Sequence, residues 1–245
     1  MDTAFECSIE RRVNRFVVEV RIDGLRQEVA TNNTGRLSEL MFQGKRALCL
    51  PNLHGKTAGK LLAVEDDHGW AMIDTAWQMR AFEEAHRRKL LPWLEGEQLL
   101  KRNPRLGESV LDYLFEDEGK TPLFAELKSA VFREESFASY PDCPTLRGQR
   151  HLQELTQHSK TGGRSLAVFV CALPGVIAFR PSRSGDPKIG PLLKQAVAAG
   201  VEVRSIHIVL NPRYGIFLHN ADLPVVLYED SCHLCWSKHQ AGEPT

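Results

Sequence analysis

The sequence predicts a mixed α/β (α+β) protein, in which a small N-terminal β-barrel precedes a mixed sheet flanked by helices. Two patterns predict this fold class. Up to about residue 64, short apolar runs are broken by Gly, Asn and Pro, which is typical of a small barrel or sandwich. After residue 75, helix-like and strand-like patterns alternate, which is typical of an α/β layout. We place the domain boundary between residues 78 and 79, with the second domain extending to residue 245.

The elements of the first domain are predicted from local signals. Residues 15–22 and 25–30 are apolar runs separated by Asp23-Gly24, and this combination predicts a β-hairpin. Further strands are predicted at 46–50 and 60–73. Charged and apolar residues then alternate at helical spacing up to about residue 101. Pro92 and Gly96 interrupt that pattern, so we expect two short helices there.

The second domain shows a succession of strand and helix patterns. A nearly all-apolar run at 165–173 predicts a strand that is buried on both faces. Gly200 stands where a helix C-terminus is expected. The predicted elements are strands at 110–115 and 123–132, a helix at 145–159, the strand at 165–173, a helix at 189–200 and a strand at 201–210.

Composition limits the classes of function. Lys plus Arg equals Asp plus Glu, 31 of each, so the net charge is zero and any nucleic-acid contact must come from a local patch. No run approaches the ~20 apolar residues that span a bilayer. The N-terminus lacks the pattern of a signal peptide. We therefore expect a cytoplasmic protein whose six dispersed cysteines are mostly free thiols.

One strand carries the strongest chemical signal. Side chains two residues apart in a strand share a face, so Glu126 and Lys128 point the same way, while Ala125 and Leu127 point to the opposite face. The preceding strand delivers Asp112, which a hairpin-like connection brings beside Glu126. Two carboxylates and an ammonium are therefore expected on one sheet face.

Such a group suits phosphodiester hydrolysis. Carboxylates bind Mg²⁺ or Mn²⁺ through hard oxygen atoms, and the metal polarises the phosphate and activates water. Asp112 and Glu126 are the expected ligands, with the Leu127 carbonyl as a third. Lys128 is the expected catalytic cation. The alternative is an ordinary solvated ion pair on the exposed face of an amphipathic strand.

A family resemblance extends this reasoning. Residues 109–113 (SVLDY) are similar to a serine-arginine-x-aspartate-phenylalanine block, and residues 126–129 (ELKS) to a glutamate-valine-lysine-serine block. Residues 140–152 resemble a stretch with proline-aspartate-alanine and arginine-glycine-x-x-histidine-leucine. These blocks resemble the sugar fermentation stimulation protein A (SfsA) family.

The resemblance implies an OB-like barrel followed by a restriction-endonuclease-like (PD-D/ExK) domain, with DNA more than RNA as the partner. It also implies roles for further residues. Arg147 would bind a phosphate and His151 would lie near the metal, although a pair four apart on a helix is also compatible with capping or solvent exposure. Asn33, Thr34 and Arg36 would belong to a substrate-facing loop, although turn chemistry explains Asn and Gly equally.

Two positions depart from the family pattern. Val110 stands where the family has arginine, which removes a partner for a phosphate or an acid. The acidic residue expected on the preceding helix has no clean counterpart, and both Glu97 and Glu108 are candidates. The departures mark a divergent member.

Other functions stay open at this stage. A DNA-binding regulatory protein that keeps the nuclease fold without cleavage is the main alternative. Cys232 and Cys235 form a single CxxC motif, which would need further ligands to hold zinc, so a scaffold role or incidental thiols are also compatible with it. A homodimer is compatible with the sequence as well.

Overall fold

The structure is a computed structural model and describes residues 4–52, 55–213 and 215–227. Its helices are α1 (Thr75–Arg87), α2 (Leu146–Lys160) and α3 (Ile189–Ala198). The first-domain strands are β1 (Phe5–Arg12), β2 (Val17–Ile22), β3 (Leu25–Ala30), β4 (Arg46–Pro51), β5 (Gly59–Asp66) and β6 (Gly69–Met72). The later strands are β7 (Gln98–Arg102), β8 (Arg105–Leu106), β9 (Ser109–Val110), β10 (Tyr113–Glu116), β11 (Leu123–Ala130), β12 (Phe132–Glu134), β13 (Phe137–Tyr140), β14 (Arg164–Cys171), β15 (Ala178–Pro181), β16 (Glu202–Asn211) and β17 (Gly215–Asn220).

The first six strands form one sheet, and five of them close into a barrel. They follow the order β3-β2-β1-β4-β5-β6, and a parallel pairing of β3 with β5 closes β1 to β5 into a five-stranded ring. This topology is that of an OB barrel, as expected. The β2–β3 hairpin is confirmed, because both Asp23 (φ 48°) and Gly24 (φ 81°) have the positive φ angles that a tight hairpin turn requires.

The second domain is built on a mixed sheet in the order β17-β16-β14-β11-β10-β7. Strands β11, β14 and β16 are parallel, while β17, β10 and β7 pair antiparallel at the two sides. β14 is buried over almost its whole length, as its apolar sequence predicts. Helices α2 and α3 pack on each other, and α2 also packs on β14. The predicted fold class is therefore confirmed.

The region after α1 differs from the sequence prediction. A single helix ends at Arg87, Pro92–Leu94 forms one 3₁₀ turn, and Gln98–Arg102 is a strand. Pro92 starts the short turn because its fixed φ suits a first helical position. The prediction of helix up to residue 101 was wrong because pairing of β7 with β10 outweighs local helical preference.

The proposed domain boundary falls within a helix. β6 ends at Met72, and α1 begins at Thr75 with Asp74 as its N-cap, whose side chain accepts a hydrogen bond from the Trp77 N–H (2.9 Å). A boundary between residues 78 and 79 would cut α1, and it stays a prediction. Among the described residues, no helix is long and apolar enough to cross a membrane.

Buried polar contacts join the barrel to the second domain. Arg133 of β12 donates to the Asp66 carboxylate of β5 (2.6 Å) and to the Pro174 carbonyl (2.6 Å). These side chains are only 17% and 9% exposed, in the order Arg133 and Asp66. A second contact is the hydrogen bond from the Leu37 N–H to Asp142 (2.5 Å). The barrel is therefore fixed on the second domain at two separate points.

We predict that Arg133→Ala lowers the free energy of unfolding by about 3 kcal/mol, because it leaves the buried Asp66 carboxylate without its cation. Urea denaturation followed by circular dichroism measures this change. Arg46→Ala is the control, since Arg46 makes exposed ion pairs with Glu6 and Glu65 and should matter little. Equal losses in the two variants would contradict the importance of the interdomain pair.

Candidate active site

The candidate site lies where the pairing of two strands stops. β11 pairs with β14 from Leu123 to Ala130, but its pairing with β10 ends at Tyr113 and Ala125. Beyond that point the Leu127 N–H donates instead to the Asp112 Oδ2 atom (2.8 Å). This bond satisfies a backbone donor that would otherwise lack a partner. It also holds Asp112 over the edge of β11.

Glu126 is the most buried member of the group. It is 4% exposed, and its Oε1 atom accepts a hydrogen bond from the Lys128 ammonium (2.6 Å). The same oxygen lies 2.5 Å from the Nδ1 atom of His151 on α2. The other oxygen, Oε2, is buried and has no hydrogen-bond partner among the described residues. Lys128 and His151 therefore both contact Oε1 of Glu126, whereas Oε2 has no hydrogen-bond partner among the described residues.

The charges of the group influence one another strongly. Burial and the neighbouring Glu126 charge raise the pKa of Asp112 to about 6, although its bond from the Leu127 N–H opposes this shift. Burial also opposes ionisation of Glu126, but Lys128 and His151 outweigh it and hold the Glu126 pKa below its usual value. Glu126 in turn raises the pKa of the buried Lys128 ammonium. The ionised Glu126–Lys128 pair is thus favoured at neutral pH.

A cavity of about 410 Å³ opens beside these residues, and both domains line it. The second domain contributes Asp112, Glu126, Lys128, Tyr140 and Arg147. The barrel contributes Arg15, Asn33 and Thr34. The structure thus brings the three residues of the predicted catalytic group together with residues from the predicted barrel loop.

The barrel-loop residues differ in what they offer to the cavity. The Asn33 side chain is buried, donates to the Ile73 carbonyl (3.1 Å) and accepts from the Gly35 N–H (3.0 Å), so it holds the turn. Thr34 is exposed and lines the cavity. Arg36 is exposed outside the cavity, and its carbonyl accepts a hydrogen bond from Arg12 (3.0 Å).

The two α2 residues also differ. Arg147 is exposed and lines the cavity, and its Nε–H donates to the Nε2 atom of His151 (3.3 Å). His151 is 1% exposed and contacts Glu126. Arg147 can therefore reach a ligand in the cavity, whereas His151 acts on neighbouring side chains.

Neither candidate for a further acidic residue reaches the cavity. Glu97 precedes the edge strand β7 and forms an ion pair with Arg164. Glu108 lies between β8 and β9, where its N–H donates to the Glu154 carboxylate (3.1 Å). Neither candidate is therefore the acidic residue expected at the site, because Glu97 is paired with Arg164 beside β7 and Glu108 lies in the turn between β8 and β9. Within the described part of the chain, no cluster of three or more His, Cys, Asp or Glu side chains is placed to hold a metal.

The cavity residues that the sequence analysis missed include Arg15, Gln78 and Tyr140. Gln78 lies on α1 and donates to the Met72 carbonyl (2.7 Å). Tyr140 does lie within one of the family-like blocks, and Gly148 of the same block makes room for it. A Cβ atom at Gly148 would come within 2.4 Å of the Tyr140 hydroxyl. Gly148, the glycine of the arginine-glycine pair, could therefore have indicated that a large side chain packs against the start of α2.

The fold defines a class of protein in which an OB barrel is followed by a mixed α/β domain. Comparisons with known sequences agree with this architecture. Residues 11–73 match the SfsA N-terminal OB domain, and residues 76–214 match the sugar fermentation stimulation protein RE domain. The chain belongs to the SfsA family, as its motifs indicated.

Individual relatives support this assignment over most of the chain. A sugar fermentation stimulation protein homolog of Pyrococcus furiosus is 50% identical, over 82% of this chain and 87% of its own length. A homolog of Archaeoglobus fulgidus is 45% identical, over 93% of this chain and 98% of its own length. The solved structure of Pyrococcus furiosus SfsA in complex with Ca²⁺ has a TM-score of 0.88 and 46% identity, covering 92% of this chain and 97% of that one.

One predicted feature lies outside the described residues. Cys232 and Cys235, the CxxC pair, fall in the segment after residue 227.

We predict that Asp112→Asn raises the free energy of unfolding at pH 8 by about 2 to 3 kcal/mol, because a folded-state pKa of about 6 makes ionisation of Asp112 unfavourable. In the unfolded chain the Asp112 pKa is the ordinary aspartate value of 3.8, so the gain should develop between pH 4 and pH 6 and be absent below that range. Asn can still accept the hydrogen bond from Leu127.

Urea denaturation at several pH values, with EDTA present, measures this effect. Glu116→Gln, at an exposed position of β10, is the matched control. A stabilisation by Asp112→Asn that is equal at pH 4 and pH 8 would contradict the assignment of the charge effect to Asp112.

Proposed function

We propose that this chain is a metal-dependent nuclease that hydrolyses phosphodiester bonds of nucleic acid at Asp112, Glu126 and Lys128. The observation that carries the proposal is the Oε2 atom of Glu126, which lies in a buried carboxylate beside the cavity without a hydrogen-bond partner among the described residues. An unsatisfied buried acceptor is costly. A cation bound between Glu126 and Asp112 would satisfy it.

The donor atoms suit Mg²⁺ or Mn²⁺, which prefer oxygen ligands. Asp112 and Glu126 would each supply a carboxylate oxygen. The N–H and C=O groups of a strand residue point to the same side, so the Leu127 carbonyl is on the edge that Asp112 covers and would be the third ligand. The Pyrococcus furiosus relative was solved in complex with Ca²⁺, which supports the proposal that this chain binds a divalent cation. When bound, the ion would polarise the phosphate and activate a water molecule.

The surrounding side chains would position the substrate. The Lys128 ammonium would offset the negative charge that develops on the phosphate. Arg147, exposed at the cavity, would bind a phosphate through its guanidinium group. Asn33, Thr34 and Arg36 belong to the barrel loop, and OB barrels commonly bind oligonucleotides. DNA is the nucleic acid that we propose as partner, with the barrel holding the strand.

A second function has an observation in its favour. Lys128 and His151 already occupy one oxygen of Glu126, and Val110 replaces the arginine of the family pattern at an exposed position. These features would suit a DNA-binding regulatory protein that keeps the fold without cleavage. Such a protein would bind DNA through salt-sensitive contacts and release no product.

We predict that the purified protein cleaves labelled DNA with Mg²⁺ or Mn²⁺ and not with EDTA. Single- and double-stranded DNA and RNA should be compared in the same assay. Glu126→Gln should abolish metal-dependent cleavage because it removes a charged metal ligand. Lys128→Met should lower the rate by roughly 100-fold or more because it removes the cation that offsets charge on the phosphate. Lys101→Met, on the exposed strand β7, is the matched control and should cleave normally.

The outcomes separate the two functions. Cleavage that persists in Glu126→Gln and Lys128→Met proteins of normal circular dichroism would disprove the assigned site. Binding without product by the wild-type protein would instead favour the regulatory function. Cleavage of RNA alone would correct the proposed partner while leaving the site in place.

A further inference from the structure

A chain of three side chains leads from the surface of α2 to the buried carboxylate. The Nε–H of Arg147 donates to His151 Nε2 (3.3 Å), and His151 Nδ1 lies 2.5 Å from Glu126 Oε1. His151 is 1% exposed and does not line the cavity, so it cannot contact a substrate there. Its contacts instead connect Arg147 with Glu126.

The donors and acceptors in this chain follow from the chemistry of arginine. A guanidinium group has no acceptor atom and stays protonated, so His151 Nε2 must accept the bond from Arg147. A neutral imidazole that accepts at Nε2 carries its hydrogen at Nδ1. His151 Nδ1–H therefore donates to Glu126. The Lys128 ammonium, 3.3 Å from Nδ1, then has its acceptor in Glu126 and not in His151.

We propose that His151 is a positioning residue, fixed as its Nδ1–H tautomer, which orients the Glu126 carboxylate so that Oε2 faces the bound metal. The inference rests on the proposed function, because it gives Oε2 a metal to bind. Arg147 would help to select the tautomer from the Nε2 side. Histidine would thus act on the carboxylate ligand and not on the substrate.

Two donors on one oxygen explain why a histidine is needed in addition to the lysine. A single flexible ammonium could follow the carboxylate as it turns, and either oxygen could then face the cavity. The ring of a buried histidine has a fixed position, so the carboxylate can turn only by losing that bond. Partners of this kind orient ligating groups, and their loss commonly lowers metal affinity.

The tautomer can be measured directly in the metal-free, full-length protein. Correlation spectra of ¹⁵N-labelled histidine at pH 8 show which ring nitrogen carries hydrogen, and the His151 signals are those missing from the His151→Asn protein. We expect hydrogen at Nδ1 only. Hydrogen at Nε2, alone or together with Nδ1, would overturn the proposal.

The orienting role can be measured as Mn²⁺ affinity by calorimetry, without an activity assay. Asn at position 151 places an amide N–H near the former Nδ1 position, whereas Gln places it near Nε2. We expect His151→Gln to weaken Mn²⁺ binding roughly 10- to 100-fold and His151→Asn to stay within a few-fold of wild type. His158→Asn, on the same helix but packed against Phe124, is the control and should bind normally.

The Mn²⁺ titration tests both the orienting role of His151 and the proposed function. Equal loss in His151→Asn and His151→Gln would mean that the ring matters for packing alone, and normal binding in both would remove the orienting role. Either result overturns the proposal while the proposed nuclease function stands. A wild-type protein that binds no Mn²⁺ overturns the proposed function and the orienting role with it, even if the tautomer is the expected one.

Discussion

The candidate site depends on one backbone hydrogen bond, from the Leu127 N–H to the Asp112 side chain. β10 leaves β11 after Ala125, while β11 continues beside β14, so one edge of β11 loses its strand partner. A backbone donor in such a place needs an acceptor. Asp112 supplies it, and this brings the two carboxylates close enough for the Glu126 charge to help raise the Asp112 pKa to about 6. A break in the sheet therefore creates the charged site.

Folding alone does not explain the buried charges around Glu126. A buried ion pair contributes little net stability, since desolvation offsets most of the attraction, and apolar side chains of similar volume often serve as well. Here the pair also leaves Glu126 Oε2 without a hydrogen-bond partner among the described residues, which adds a further cost. Buried charged groups that lower the stability of the fold tend to mark a functional site. This reasoning favours a ligand-binding role over the solvated ion pair that the strand pattern alone also allows.

Local patterns predicted those features that depend on neighbouring residues. The Asp23-Gly24 turn and the shared face of Glu126 and Lys128 follow from periodicity and turn chemistry, and the family motifs supplied the architecture. The failures concern contacts between distant residues. The end of the expected helix is instead the strand β7, because it pairs with β10. Glu97, just before β7, therefore forms an ion pair with Arg164. Helical spacing likewise put Arg147 and His151 on one face without indicating that only Arg147 would reach the cavity.

The barrel is part of the site and not an appendage to it. Arg12 donates to the carbonyls of Asn33 (2.8 Å) and Arg36 (3.0 Å), and burial lowers the pKa of its guanidinium group. From the other side, Asp142 of the second domain accepts a hydrogen bond from the Leu37 N–H. The loop is thus held from both domains before any ligand arrives, which reduces the entropy lost on binding. Since Thr34 and Asp112 line the same cavity, neither domain alone could form it.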